Sequence, residues 1–294
     1  MALTLAEAAK LSNDVLLQGV VEEIIKDSPI LQRLPFIEIV GNGLTYNREN
    51  ALPTVSWYDV GDTWAESTPT FTQVTATLKI LGGDADVDNY IRATRSNIQD
   101  IEAAVIELKA KATRHEFENV FINGDTATNA KQFDGVDKLC VSGQTVSMGT
   151  NGGTLTLEKL DQLIDAVLGG KPDMLLMSRR SRRKLTSLMR ALGSMSVEKD
   201  DFGQFVVFYN GIPVYINDWI SDTKTVGTST DCSTIYAFQM GEGALAGLTA
   251  PGHLVVERIG SLESKDATRT RIKWYCSLAL FSTVKLAKLI GVRD

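Results

Sequence analysis

The sequence predicts an α+β fold, and three observations carry that expectation. A polar, alternating stretch with aromatic residues at its centre runs from Thr45 to Lys79 and reads as an extended hairpin. A long amphipathic helix follows over Asn97 to Ile122. From residue 154 onward, helical and strand-like segments alternate, and two long strands close the chain. A projecting hairpin and a long rigid helix suit a protein that reaches out to neighbours. They are poor parts for a wall around a substrate.

The chain has 294 residues and is 44% hydrophobic, enough for a sizeable core in one large domain or two smaller ones. Its net charge of -6 argues against a dedicated nucleic-acid surface. Cys140, Cys232 and Cys276 are odd in number and widely spaced, which reads as buried or free thiols in a reducing compartment. The stretch Met1 to Glu7 lacks a basic n-region and an apolar run, so it is not a signal peptide. No run reaches the ~18 apolar residues of a membrane span. The expectation is a soluble protein made in the cytoplasm.

Thr4 and Glu7 form a capping box for a short first helix. A second helix begins near Asn13 or Asp14, with Leu16, Leu17, Val20, Val21, Ile24 and Ile25 on one face, and Ser28-Pro29 ends it. Phe36 to Val40 reads as a strand and Gly41-Asn42-Gly43 as a turn. Strands over Leu44 to Glu49 and Phe71 to Ile80 then flank a loop that carries Trp57, Tyr58 and Trp64. Two tryptophans in a loop need an apolar cover, and a partner subunit is the expected one. Ser96 with Gln99 caps the long helix, and Gly124 takes the C′ place at its end. At ~1.5 Å per residue that helix spans roughly 40 Å.

Thr156 caps the next helix, Met174 to Met177 is a buried strand, and Ser178 opens a helix through Leu192. Gly193 to Gly203 reads as a flexible loop. Phe205 to Tyr209 and Ile212 to Ile216 flank Asn210-Gly211, a hairpin turn signal. Ile235 to Phe238, Leu254 to Ile259 and Arg271 to Leu286 complete the strands.

Chemistry is largely missing. The two histidines, His115 and His253, stand apart, and there is no Cys-x-x-Cys or His-x-x-x-His for zinc. No Gly-x-Ser-x-Gly elbow or phosphate loop exists, and Gly241 to Gly247 misses the dinucleotide fingerprint by one residue. No catalytic, cofactor-binding or metal residue is assigned. Asp84, Asp86 and Asp88 alternate, but a calcium loop would need Glu where Arg95 stands, so they read as a solvated or inter-subunit acidic face. Arg179, Arg180, Arg182, Arg183 and Lys184 crowd the start of a helix, where the macrodipole disfavours cations. They call for an anionic partner: an acidic surface of a neighbouring subunit, with Glu198, Asp200 and Asp201 as candidates, or nucleic acid.

Three stretches are specific enough to compare with a family. Trp64-Ala65-Glu66 with Pro69, Phe71 and Lys79 is the first. Phe121 to Asp125 followed by Phe133-Asp134-Gly135-Val136 is the second, and Gly211-Ile212-Pro213-Val214 is the third. In these stretches and in element order the chain resembles the major capsid proteins of tailed bacteriophages, which have the HK97-type fold. The resemblance implies an N-terminal arm (1–43), an E-loop (44–80), a peripheral P domain (81–136) with its spine helix (97–122), an axial A domain (137–250), and C-terminal strands (251–294) that return to the P domain and end at the A domain. It implies a structural protein, not an enzyme. Copies would form pentamers and hexamers of an icosahedral shell around double-stranded DNA contacted non-specifically, assembled in the host cytoplasm without a membrane. Trp57, Tyr58, Trp64, Glu66 and Phe71 would be intersubunit contacts, and Arg179 to Lys184 a charged intersubunit cluster. A portal, a separate scaffolding protein and an optional decoration protein are the further partners implied; the scaffold is expected because the sequence starts directly at the arm. Residues 44 to 78 contain no lysine, so a covalent weld through the E-loop is not expected. An encapsulin-type shell around a cargo enzyme is the alternative.

Overall fold

The computed structural model describes residues 28–51, 53–95, 101–193, 196–199, 203, 205–251 and 255–293. The two helices expected before Ser28 and the cap at Ser96 lie outside these residues. Helix α1 (Pro29–Arg33) is capped by Ser28 Oγ, which accepts from Leu31 N at 3.3 Å. Strand β1 (Phe36–Glu38) leads to the hairpin of β2 (Gly43–Ala51) and β3 (Thr70–Thr77). The returning strand stops at Thr77, short of the expected Ile80, and β4 (Lys79–Asp88) turns into another sheet. The sequence reading has no helix at α2 (Asn89–Arg95); Asp88 Oδ1 accepts from Tyr90 N at 2.8 Å and starts it. Helix α3 (Ile101–Asn123) is the expected long helix.

After α3 come α4 (Val136–Leu139), β5 (Thr145–Ser147), β6 (Gly153–Thr154), α5 (Leu157–Asp165), β7 (Met174–Met177) and α6 (Arg179–Ala191). Strands β8 (Ser196–Lys199), β9 (Phe205–Tyr209), β10 (Ile212–Ile216), β11 (Lys224–Val226), β12 (Ser229–Phe238), β13 (Leu245–Thr249), β14 (Val255–Ser261), β15 (Ala267–Leu280) and β16 (Leu286–Arg293) follow. Two expectations are corrected here. The stretch Gly193 to Gly203 holds β8, because Val197 finds a cross-strand partner in Val207. The expected single strand Arg271 to Leu286 is two, split after Leu280, and its halves enter different sheets.

Strand β15 is the centre of the first sheet. Its first half lies between β4 and β14, and its second half runs along β13, which pairs in turn with β1. The second sheet has the order β5-β16-β12-β7-β10-β9-β8, and β7 and β10 are parallel. Both faces of β7 are covered, which explains its unbroken apolar run. Met174 and Leu176 pack with Phe121, Ile122 and Phe238 on the α3 side. Leu175 and Met177 pack with Leu160 and Leu163 of α5 and Leu185 of α6 on the other. Thr156 Oγ1 accepts from Lys159 N, and Ser178 Oγ from Ser181 N, both at 3.3 Å, as the caps required. Asn210 and Gly211 sit at φ 51° and 76°, the left-handed pair that a tight hairpin demands.

The second half of α3 is its buried half. Phe117, Val120, Phe121 and Ile122 are buried, whereas Leu108 of the expected stripe is partly exposed. Phe117 packs on Trp274 of β15 with ring centroids 4.7 Å apart. The turn after α3 is fixed by polar contacts: Asp134 Oδ1 accepts from Thr126 N at 2.8 Å, and Lys138 pairs with Asp125 at 3.2 Å. Gly124 is not in the left-handed region expected of a C′ glycine. It is glycine because a Cβ there would lie 2.3 Å from the Phe133 carbonyl oxygen and 2.5 Å from that of Val120.

The acids Asp84 and Asp86 are not left as a free acidic face but are paired within the chain. They lie on β4 opposite basic residues of β15 in the same chain. Arg271 meets Asp84 at 2.6 and 3.0 Å, and Arg269 meets Asp86 at 2.6 and 2.8 Å. Lys265 adds a contact to Asp86 at 3.0 Å, and Lys273 pairs with Glu257 on β14 at 2.5 Å. The hydrogen bonds from Arg269, opposed by burial and aided by Lys265, hold the Asp86 carboxyl far below the usual carboxylate range. This ladder zips β14, β15 and β4 together across one face.

Two outcomes are expected. Gly124→Ala should lower the unfolding free energy of the unassembled subunit by about 2 kcal/mol, an overpacking cost. Gly143→Ala, which faces open space, should change little; denaturant midpoints check both. Ionised Asp86 contributes stability above its unfolded pKa of about 4 and loses it as pH falls from there through its depressed folded value. Asp86→Asn should therefore weaken the subunit at neutral pH and flatten the acid limb of its stability curve, read by circular dichroism against pH.

Candidate functional site

The hairpin is built in two parts, a fixed base and an exposed tip. At the base, Leu44, Tyr46, Ala76 and Leu78 pack against Ile39, Leu248 and Ala279. Tyr46 Oη and Arg48 Nε both donate to the Leu280 carbonyl at 3.0 Å, and a second Arg48 nitrogen also donates to it. The Tyr46 ring lies 4.8 Å from that of Phe281. Lys79 Nζ donates to the Ala130 carbonyl at 2.8 Å, tying the base to the turn after α3. The sequence reading missed Tyr46 and Arg48. Their alternation with exposed neighbours was the available signal, but nothing local pointed to a carbonyl at Leu280.

The tip is ordered by its own short contacts. Thr54 N donates to Ser67 Oγ at 2.8 Å across the loop, and Asp59 N to Asp62 Oδ2 at 2.7 Å. Tyr58 stacks on Trp64 at 4.4 Å and 21°, and its hydroxyl accepts from Ala65 N at 3.2 Å. Of the five expected contact residues, the structure brings only these two together. Trp57 is fully exposed, Trp64 is 78% exposed and Phe71 61%, and Glu66 is exposed beside them. Val55 and Val60 are exposed as well. The tip therefore presents Val55, Trp57, Val60, Trp64 and Phe71 together to solvent. Its charges are Asp59, Asp62 and Glu66, with no cation from residue 53 to 69.

The basic cluster at the start of α6 divides. Arg179 makes a bidentate pair with Asp218 at 2.5 and 2.7 Å, which lowers the Asp218 pKa and raises that of Arg179. Arg180 reaches the Asp231 carbonyl at 2.6 Å and lies 3.6 Å from Asp222. Part of the anionic compensation therefore comes from the chain itself, from loops that spacing could not place beside the helix. Arg183 is exposed and Lys184 half-buried, and neither carries a polar side-chain contact within the chain among the described residues. Arg182 turns into a cleft. Glu198 is exposed on β8, and its Oε1 accepts from Ser196 Oγ; Asp200 and Asp201 lie outside the described residues.

No group of metal-binding side chains, and no helix long and apolar enough to cross a membrane, occurs among the described residues. His115 is exposed and meets the Trp219 ring edge-on at 6.2 Å; His253 lies outside the described residues. All three cysteines are buried and unpaired, and burial pushes the Cys276 thiol up to about 12.

Comparison with known proteins follows the same line. A model of the phage capsid family matches residues 11–271. No curated protein matches the chain. Among solved structures, the holo-SrpI encapsulin complex of Synechococcus elongatus aligns with a TM-score of 0.71 at 19% identity, over 91% of this chain and 89% of that one. The capsid of a native GTA particle aligns at 0.65 with 16% identity, over 90% of each chain. A chain of Mycobacterium phage Bobi aligns at 0.65 with 14% identity, over 100% of each. At these identities the structural likeness shows the fold, which is the HK97-type fold.

Proposed function

This chain belongs to the phage capsid family, whose members are structural proteins rather than enzymes, and on that premise we propose how it assembles. Many copies close into an icosahedral head of pentamers and hexamers around the double-stranded DNA of a tailed phage. Residues 44–80 act as the E-loop that grips the adjacent copy, 81–136 as the P domain, and 137–250 as the A domain at the capsomer centre. A portal, a separate scaffolding protein and assembly in the host cytoplasm belong to this reading, with DNA touched non-specifically.

The observation that carries it is the hairpin with a pinned base and an unsatisfied aromatic tip. Burying one indole is worth about 2–3 kcal/mol on the area scale. That gain repeats at every contact of a shell, so a modest pairwise contact becomes a stable closed surface. Arg183 and Lys184 fit the same reading as a basic edge that meets carboxylates of an adjacent copy. Charges on facing copies screen beyond ~8–10 Å, so only contact pairs offset them well.

A shell around a protein cargo remains the second reading, favoured by the likeness to the encapsulin. Purified particles separate the two: packaged DNA supports the phage head, and a co-purifying enzyme supports the compartment.

Two outcomes follow for particles. Trp57→Ala with Trp64→Ala should leave subunit stability within about 0.5 kcal/mol, as expected for exposed positions, while shells fail to form in electron micrographs. Normal shells from this variant would sink the adhesive role of the tip. Wild-type particles boiled in detergent should run as a 32.1 kDa monomer, because residues 44 to 78 offer no amine for an isopeptide bond. A ladder of higher species would show that subunits are welded by another route.

A further inference from the structure

Helices α5 and α6 cover the same face of the second sheet, and their outer faces carry opposite charge. On α5, Glu158, Asp161 and Asp165 are exposed at positions i, i+3 and i+7, so they share one face. Glu158 accepts from Gln162 Nε2 at 3.3 Å, and Asp161 from the Tyr209 hydroxyl at 2.7 Å. None of the three acids meets a cation among the described residues. The single cation of α5, Lys159, donates to Gln162 Oε1 at 2.9 Å. Helix α6 holds no acid at all. Its Arg179, Arg183 and Arg190 are exposed at i, i+4 and i+11, again one face. Asp218 occupies Arg179, whereas Arg183 and Arg190 have no polar side-chain partner among the described residues.

The two stripes match in spacing as well as in sign. Glu158 and Asp165 are seven residues apart, and so are Arg183 and Arg190. At ~1.5 Å per residue each pair spans roughly 10 Å along its helix. Two such helices laid side by side bring both arginines against both acids at once. Within the subunit they do not meet: α5 packs on β5 and β16 to one side of β7, and α6 packs on β10 to the other. A stripe and its counter-stripe on different flanks of one chain are the two halves of a head-to-tail contact, the kind that closes into rings. Resting on the shell reading above, we propose that α6 of one copy lies along α5 of the next around each ring of subunits, with Arg183 and Arg190 meeting Glu158 and Asp165. Each exposed pair is weak alone, but a closed ring repeats it at every contact. DNA is the poorer occupant of α6, because it leaves the matched acidic stripe without a role.

Charge exchange in the full-length protein tests this, with assembly read by sedimentation velocity and electron microscopy. Arg183→Glu with Arg190→Glu should raise the concentration needed for half-assembly at least about tenfold, since attraction becomes repulsion at every contact. Glu158→Arg with Asp165→Arg should do the same. All four changes in one chain should return that concentration to within about threefold of wild type, because the stripes match again with signs exchanged. An equal mixture of the two doubly changed proteins should also assemble, in even-membered rings where unlike copies alternate. Unchanged denaturant midpoints verify that each subunit is folded. Normal assembly of either doubly changed protein, or four changes that only add their losses, would overturn the contact and leave the shell reading standing. A mixture that stays unassembled would overturn it too, by assigning the rescue to a pairing inside each chain. Normal shells that hold less DNA when Arg183 and Arg190 are reversed would overturn it in favour of nucleic acid. A wild type that assembles at no concentration would remove the shell reading and this contact together.

Discussion

Strand β15 receives backbone partners along both edges of its first half, from β4 and β14, and its second half continues along β13. Its Trp274 packs on Phe117 of the long helix, and its last carbonyl, at Leu280, receives the hairpin's Tyr46 and Arg48. The chain then turns at Phe281 and enters the second sheet as β16, between β12 and β5. Hairpin, long helix and second sheet are thus all indexed to one continuous segment. Displacing β15 by one residue would invert every side chain along it and break the Asp84–Arg271 and Asp86–Arg269 pairs together.

In the proposed assembly, that arrangement separates the part that is rigid from the part that docks. The hairpin base has aromatic packing, shared carbonyl bonds and a lysine tether, so its direction relative to the sheet is fixed. The tip has local turns and a single ring stack, and its apolar side chains face water. Preorganising the base reduces the ordering cost when the tip binds, so more of the indole burial appears as adhesion.

Much of this was legible in the sequence because it is local. The Thr156 and Ser178 caps, the Asn210-Gly211 turn and the buried run Met174 to Met177 each declare themselves within a few residues. The exposed Trp57 and Trp64 were legible too, since a loop between polar strands has no core of its own. What stayed hidden depends on distance along the chain. Asp84 and Arg271 lie 187 residues apart and Arg179 and Asp218 lie 39 apart, so neither periodicity nor spacing could pair them. Strand β8 was misread because its polar, glycine-flanked sequence is strand-like only beside β9. The break after Leu280 was missed because apolar residues continue through it from one core into another. Gly124 was correctly marked as a stop, but for close backbone approach rather than for a left-handed turn.

The central claim is that the tip is covered by another copy in the shell. Hydroxyl-radical footprinting of the same protein, unassembled and in purified particles, measures this directly. Trp57 and Trp64 should label strongly in the unassembled subunit and become protected in particles, while the part-buried Trp219 and Trp274 stay low in both. Equal labelling of Trp57 and Trp64 in the two states would contradict the account.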